Sequence, residues 1–198
     1  MTAHIDTRRA DLNDLEALLA CVAAGFDSYR AFAPPGWEPP DREAGRALTA
    51  DLLADPDTWG LIALVDETFV GHASFVPARE RTPGEPFRDW RSRSLIPGLA
   101  HLGQLFILEP WWGRGVAPLL HDAALAEMRA RGFCSARLFT PAGHARARSF
   151  YERRGWIAGE EGWDEHLRLA LVEYRLDLGG EPQTGPQTGS QAPGSQPD

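Results

Sequence analysis

Two rhythms of apolar residues alternate along the chain. From His101 to Leu108 the run is short, almost unbroken and aromatic-bearing (Leu102, Leu105, Phe106, Ile107, Leu108), as a buried strand requires. After Trp111 the spacing changes: Val116, Leu119, Leu120, Ala123, Ala124 and Met128 recur every third or fourth residue, the signature of an amphipathic helix. Gly132 closes that helix, with Arg129 and Arg131 in its last turn, where cations suit the helix dipole. Cys134 to Phe139 alternates as a second strand. A helix joins the two strands, so they are expected to be parallel neighbours with a right-handed crossover. His144 to Trp156 then reads as a short helix carrying Tyr151, closed by Gly155 and followed by an aromatic that opens a further strand.

The same reading covers the remainder of the chain. His4 to Arg9 is a strand, Asp11 a helix N-cap, and Leu12, Leu15, Leu19, Val22 and Phe26 keep helical spacing. Tyr29 to Pro40 is too rich in proline for regular helix. Asp41 caps a second helix that runs to about Ala54. Trp59 to Val65 and Phe69 to Val76 flank Asp66-Glu67-Thr68 as a hairpin. Residues 78–98 read as a long insertion, and its Phe87 and Trp90 favour a lid over disorder. Trp156 to Ala158 and His166 to Leu178 read as a final hairpin, completing one domain over residues 1–178. Residues 179–198, with Pro-Gln-Thr-Gly twice in succession, are expected to be a disordered tail.

Composition narrows the function. The net charge of −8 argues against a nucleic-acid binder, and no apolar run is long enough to span a membrane. With no signal sequence, and with Cys21 and Cys134 in apolar patterns lacking metal or disulfide spacing, the expectation is a reduced cytoplasmic setting. The six histidines show no ligand spacing, so no metal is expected. Lysine is absent, which excludes a Walker-type phosphate lysine and a Schiff-base lysine.

The stretch between strand and helix, Trp111-Trp112-Gly113-Arg114-Gly115-Val116-Ala117, carries the candidate chemistry. N–H groups in a first helical turn lack intrahelical acceptors, and glycine lets a phosphate approach the backbone. A dinucleotide loop would need a third glycine where Pro118 stands. Taken with the tyrosine helix, these segments resemble the GNAT superfamily of acyl-CoA-dependent N-acyltransferases, firmly over residues 101–156 and more loosely over 3–177. In the superfamily's Gln/Arg-x-x-Gly-x-Gly/Ala loop, Gly115 and Ala117 match and Trp112 replaces Gln or Arg. In its Asn-x-x-Ala-x-x-x-Tyr-x-x-x-Gly-Phe segment, Ala147, Tyr151 and Gly155 match, His144 replaces Asn and Trp156 replaces Phe.

The resemblance implies an α/β (α+β) fold, with one mixed, strongly twisted sheet of about seven strands, about four flanking helices and two splayed central parallel strands. It implies acetyl-CoA as co-substrate, its diphosphate on the amides of residues 113–117 and its pantetheine arm beside Phe106 and Ile107. Trp112, Arg114, His144, Arg146 and Arg148 stand near those groups, and the connection between the first two helices lines the acceptor side, the alternative being a loop packed by its own aromatics. Tyr151 is the expected general acid, since a phenol of reference pKa about 10 can protonate a leaving thiolate. His101 is the expected base, ahead of Glu109, His72 and Glu80, while His121 and His166 read as surface residues. A backbone N–H near Ile107 is the expected oxyanion donor. The implied reaction is direct transfer of an acyl group to a small-molecule or peptide amine in a ternary complex. A CoA-binding module without turnover is the alternative. Dimers are common in the superfamily, which leaves oligomeric state open, as are the acceptor and the acyl preference.

Overall fold

Residues 4–81 and 91–180 are described by a computed structural model, the side chains of residues 42–44 excepted. Carboxylates build the first corner, between β1 (Ile5–Arg9) and α1 (Leu15–Asp27). Asp11 accepts from the Asn13 N–H at 2.7 Å, Asp14 accepts from the Asp11 N–H at 2.9 Å, and Arg8 forks onto Asp14 at 2.7 and 2.8 Å. Asp11 thus caps a 3-10 turn, Leu12–Asp14, that leads into α1. α2 (Arg42–Ala54) follows the proline-rich connection. β2 (Trp59–Val65) and β3 (Thr68–Arg79) turn over Asp66 and Glu67, whose φ of 46° and 64° match the twist of a tight hairpin.

The chain continues through β4 (Leu95–Ile107), α3 (Val116–Ala130), β5 (Ser135–Pro141), α4 (Ala145–Glu152), β6 (Ile157–Asp164) and β7 (Leu169–Asp177). The strands form one mixed sheet in the order β1-β2-β3-β4-β5-β7-β6, in which β4 and β5 are the parallel pair. α3 buries Val116, Leu120, Ala124 and Met128 against Ala73, Phe75, Ala100, Leu102 and Leu138 on one face. α1 covers the other face, placing Leu18 over Ile62.

One irregularity in β4 decides what each face carries. Opposite β3, Leu102 pairs with Phe75 and Gln104 with Ser74, so Gly103 is an extra residue, a β-bulge. Ala100 and Leu102 before it, and Leu105 and Ile107 after it, all join the α3 core. His101, Gln104 and Phe106 therefore face the α1 side, where Phe106 meets Phe26 at 5.6 Å and Tyr29 at 6.2 Å. Gly25 of α1 makes room for this: a Cβ there would lie 2.3 Å from the Phe106 ring.

Several sequence expectations need correction. The insertion is shorter than residues 78–98, because β3 extends to Arg79 and pairs with Leu95 across an irregular register near Pro97 and Gly98. Phe87, Trp90 and the tail beyond residue 180 lie outside the described residues. β6 is longer than Trp156 to Ala158. It is an edge strand exposed almost throughout, so nothing forces the apolar alternation by which a strand is recognised. β7 starts at Leu169, and His166 sits in the exposed turn before it. His121 is not a surface residue: it is 1% exposed and accepts a hydrogen bond from the Trp156 indole at 2.9 Å.

Candidate active site

The parallel pair is joined for only three residues. Leu99, Ala100 and His101 pair with Ser135, Ala136 and Arg137. Beyond that rung β4 stays with β3, and β5 stays with β7 through Pro141. A bulge bends its strand, and Gly103 lies just past the last shared rung. The two strands part towards their C-terminal ends, leaving main-chain groups of β4 and β5 facing a gap that an extended molecule could bridge.

At the open end of the gap lies the glycine loop. Gly113 and Gly115 have φ of 74° and 88°, and a Cβ at either would meet nothing within 4 Å, so the backbone faces open space. α3 begins at Val116 with no side-chain cap. Val116 itself is 1% exposed, which pins this first turn to the core. Among the described residues, no main-chain acceptor outside the helix serves the amides of 113 and 115–117. Such a turn holds an anion by geometry and by dipole. Trp112, 41% exposed, donates from its indole to the Ile107 carbonyl at 2.7 Å and lies 4.3 Å beneath the Arg146 guanidinium. Where the superfamily has Gln or Arg, this chain thus has a platform that ties loop to strand and holds an arginine from α4. Arg114 lies 5.2 Å over Trp111, and the two guanidiniums flank the loop.

On the α1 side an aromatic bridge spans the parted strands. Tyr29 meets Phe106 of β4 at 6.2 Å and His144, ahead of α4, at 5.7 Å. Phe32 stacks on His144 at 4.9 Å and packs against Gly143, where a Cβ would lie 3.1 Å from it. Trp37 anchors this connection by donating to the Leu167 carbonyl in the β6–β7 turn at 2.6 Å. The connection is thus both packed by its own aromatics and turned towards the gap. Trp111, by contrast, packs into the α3 core.

Tyr151 is 8% exposed and lies among Phe150 at 5.3 Å, Trp156 at 5.8 Å and Tyr174 at 6.1 Å. Its hydroxyl makes no hydrogen bond with a described residue. Burial, reinforced by the nearby Tyr29, raises its pKa well above the usual phenol value, so it holds its proton. The surroundings of the candidate base act in the opposite sense. The His101 ring faces Phe139 at 5.6 Å, and its Nδ1 is buried without a hydrogen-bond partner. Burial first, then the Arg137, Arg81 and Arg175 charges, hold its pKa down to about 3, against a smaller pull from the Arg137 backbone. His72 is buried with Nε2 2.9 Å from Gln104 Oε1, and burial lowers its pKa to about 4. Glu80 and Glu109 are exposed.

Phe106 and Ile107 lie on β4 beyond the last rung shared with β5, residues 112–117 form the loop and first turn that follow, His144 precedes α4, and Tyr151 lies within it among core aromatics. Arg148 is committed elsewhere, donating to the Ala142 carbonyl and to the Tyr174 hydroxyl, each at 3.2 Å. Arg146 takes the position beside the loop. Tyr29 and Arg137 were not singled out from sequence. Each carried a signal, Tyr29 as one of a dense run of aromatics and Arg137 as a charge two residues before the inward-facing Phe139 in an apolar strand. A groove of about 630 Å³ runs between α3 and α4 beside Pro118, His121 and Arg154.

A mixed sheet whose parallel pair opens onto an amide-lined loop is the architecture of the acyl-CoA N-acyltransferases. The model of the acetyltransferase (GNAT) family matches residues 22–156, and the chain belongs to that family. In fold it is similar to the PaiA N-acetyltransferase of Thermoplasma acidophilum, solved with coenzyme A, at 16% identity over 86% of this chain and 98% of that one, TM-score 0.64. It is similar also to YncA of Salmonella typhimurium, solved with acetyl-CoA, at 16% identity over 93% and 98% of the two chains, TM-score 0.61. A third is the ribosomal-protein-S18-alanine N-acetyltransferase of Escherichia coli, at 12% identity over 91% and 98%, TM-score 0.64. No curated protein is significantly similar in sequence.

Proposed function

We propose that this protein transfers an acetyl group from acetyl-CoA to a primary amine, by direct attack within a ternary complex. The observation that carries the reading is the gap beyond the His101–Arg137 rung, with an unobstructed amide-lined loop at its mouth. Acetyl-CoA supplies an activated thioester carbonyl. The amides of residues 113–117 hold the diphosphate, with Arg114 and Arg146 adding positive charge nearby. The edge of β4 near Phe106 and Ile107 hydrogen-bonds the pantetheine amides, as a strand edge pairs with an added strand, the Ile107 carbonyl being shared with the Trp112 indole. A β4 N–H near Ile107 polarises the carbonyl oxygen and holds its charge as the amine nitrogen bonds to carbon. As the C–S bond breaks, Tyr151 gives its proton to the departing sulfur; burial keeps the phenol protonated until then but also makes it a weaker acid than a free phenol, so the transfer waits for charge to build on sulfur. An ammonium has a reference pKa near 10, and a histidine held near 3 is too weak to take its proton directly. Water is a weaker base still, so we assign attack to the neutral fraction of the amine, deprotonated in bulk solvent. The proton shed from nitrogen after attack returns through water in the gap to the Tyr151 phenolate rather than to His101.

The test is release of free thiol from acetyl-CoA with a panel of amines. Release that depends on the amine is the expected result. Thermal stabilisation by CoA without thiol release from any amine would mark a binding module instead.

A further inference from the structure

The point where β4 and β5 separate holds a charge with no counterion among the described residues. Arg137, at the last shared rung, is 6% exposed, yet it makes no ion pair with a described residue. One of its N–H groups goes to the Arg79 carbonyl, and its Nε is buried without an acceptor. The neighbouring charges do not supply what it lacks. Arg81 lies 4.1 Å over Phe139 and is paired to Asp164 at 2.7 Å, while Arg175 is paired to Glu173 on the strand beside β5. Glu173, the acidic neighbour that acts on Arg137, is thus held by Arg175, and the cluster keeps one positive charge in excess. His101 adds a second unfilled position, its buried Nδ1. Burying a charge is costly unless an opposite charge meets it. The acid that meets Arg137 is therefore to be sought outside the described chain.

The location says what kind of molecule brings it. Arg137 and Phe139 lie two residues apart on β5, so they share the face opposite Ala136 and Leu138, which belong to the α3 core. That face carries Phe26, Tyr29 and Trp37, clustered with Phe139, and it is the side to which the superfamily resemblance assigns the acceptor. We infer that the acceptor is an amine that also carries a carboxylate, an amino acid in the broad sense, whose carboxylate is held by Arg137 with His101 beside it. The planar guanidinium fork suits a carboxylate better than an ammonium would. Phe139, Phe26 and Tyr29 receive the apolar part of the molecule, and the amine points along the gap towards the thioester. His101, as a neutral imidazole, positions the acceptor by a hydrogen bond.

This inference rests on the acetyl-transfer reading, and its test separates the two. The wild-type protein is assayed for thiol release from acetyl-CoA with the L-amino acids and, for each, its primary amide, which keeps the amine and removes the charge. At least one acid should exceed its amide in kcat/KM by about 10- to 100-fold, mostly through KM. Arg137→Gln should bring that ratio to within about threefold of one, and Arg137→Lys should retain part of it. If Arg137→Gln does not fold, the wild type with CoA bound is heated with each acid and each amide, and the acids alone should raise Tm. Amides that turn over as well as their acids, or stabilise equally, overturn the inference and leave the transferase reading standing. CoA binding without thiol release from any acid or amide overturns the inference, and it overturns the transferase reading as well only if the wider amine panel is also silent.

Discussion

The two walls of the gap are built from different materials. The wall with the glycine loop is made of main chain: two left-handed glycines, an uncapped helix start and a strand edge. The wall opposite is made of side chains that arrive from distant parts of the sequence, Tyr29 and Trp37 from the α1–α2 connection, Phe139 and Arg137 from β5, Leu167 from the β6–β7 turn. A wall of amides tolerates substitution of the residues around it, as Trp112 and His144 illustrate. A wall of side chains changes its chemistry with each substitution. The main-chain wall, where we propose the co-substrate sits, therefore keeps its signature in the sequence, and the side-chain wall does not.

This contrast can be broken or sharpened in several ways, the largest effect first. Tyr151→Phe, on neither wall but between them, should lower kcat by about 10²- to 10⁴-fold with CoA affinity nearly unchanged, as steady-state rates and calorimetry would show. An unaltered kcat would mean that water or another residue protonates the thiolate. Acid should act next. The pKa of His72 is lowered to about 4 in the fold against an ordinary value near 6.5, so the unfolded chain binds the proton more tightly. Stability is then complete above pH about 6.5 and is lost as pH falls towards 4, by up to about 3 kcal/mol from this residue. Urea unfolding of the wild type and of His72→Gln across that range should show a shallower pH slope in the variant.

Gly115→Val tests the main-chain wall, because a β-branched residue is strained at a φ of 88°. CoA should bind about 10- to 100-fold more weakly by calorimetry, while a panel of amines keeps its rank order. Gly25→Ala tests the other wall. Its methyl collides with the Phe106 ring, which must move, at a cost of about 1–2 kcal/mol in thermal unfolding and with a raised acceptor KM. Trp112→Phe should be the mildest. It removes the indole bond to Ile107 yet leaves a ring under Arg146, so CoA affinity should fall by less than about tenfold.

How much of this was legible beforehand follows from the range of the interactions. Val116, Leu120, Ala124 and Met128 carry their own spacing, and the amide seat follows from glycines next to a helix start, so α3 and its loop could be read locally. The parting of the strands could not, because no local pattern distinguishes Gly103 as a bulge from Gly103 as an ordinary strand glycine. His121 was misread although it stands four and seven residues before Leu125 and Met128, on the buried side of α3. Its partner, the Trp156 indole, comes from beyond the next strand and helix, and only that contact explains a histidine there. The low pKa of His101 has the same kind of origin: the arginines that suppress its protonation come from β5, from β7 and from just beyond β3, and no spacing around residue 101 announces them.

The surplus residue in β4 has a consequence for how this chain can vary. Were Gly103 lost, the downstream pleat would turn over, sending Gln104 and Phe106 into the oily interior and Leu105 and Ile107 out to the α1 side. A single in-frame codon deletion at this point should thus do more harm than replacing several of the residues that line the opening. The width of the opening is set by a count of residues as much as by their identity.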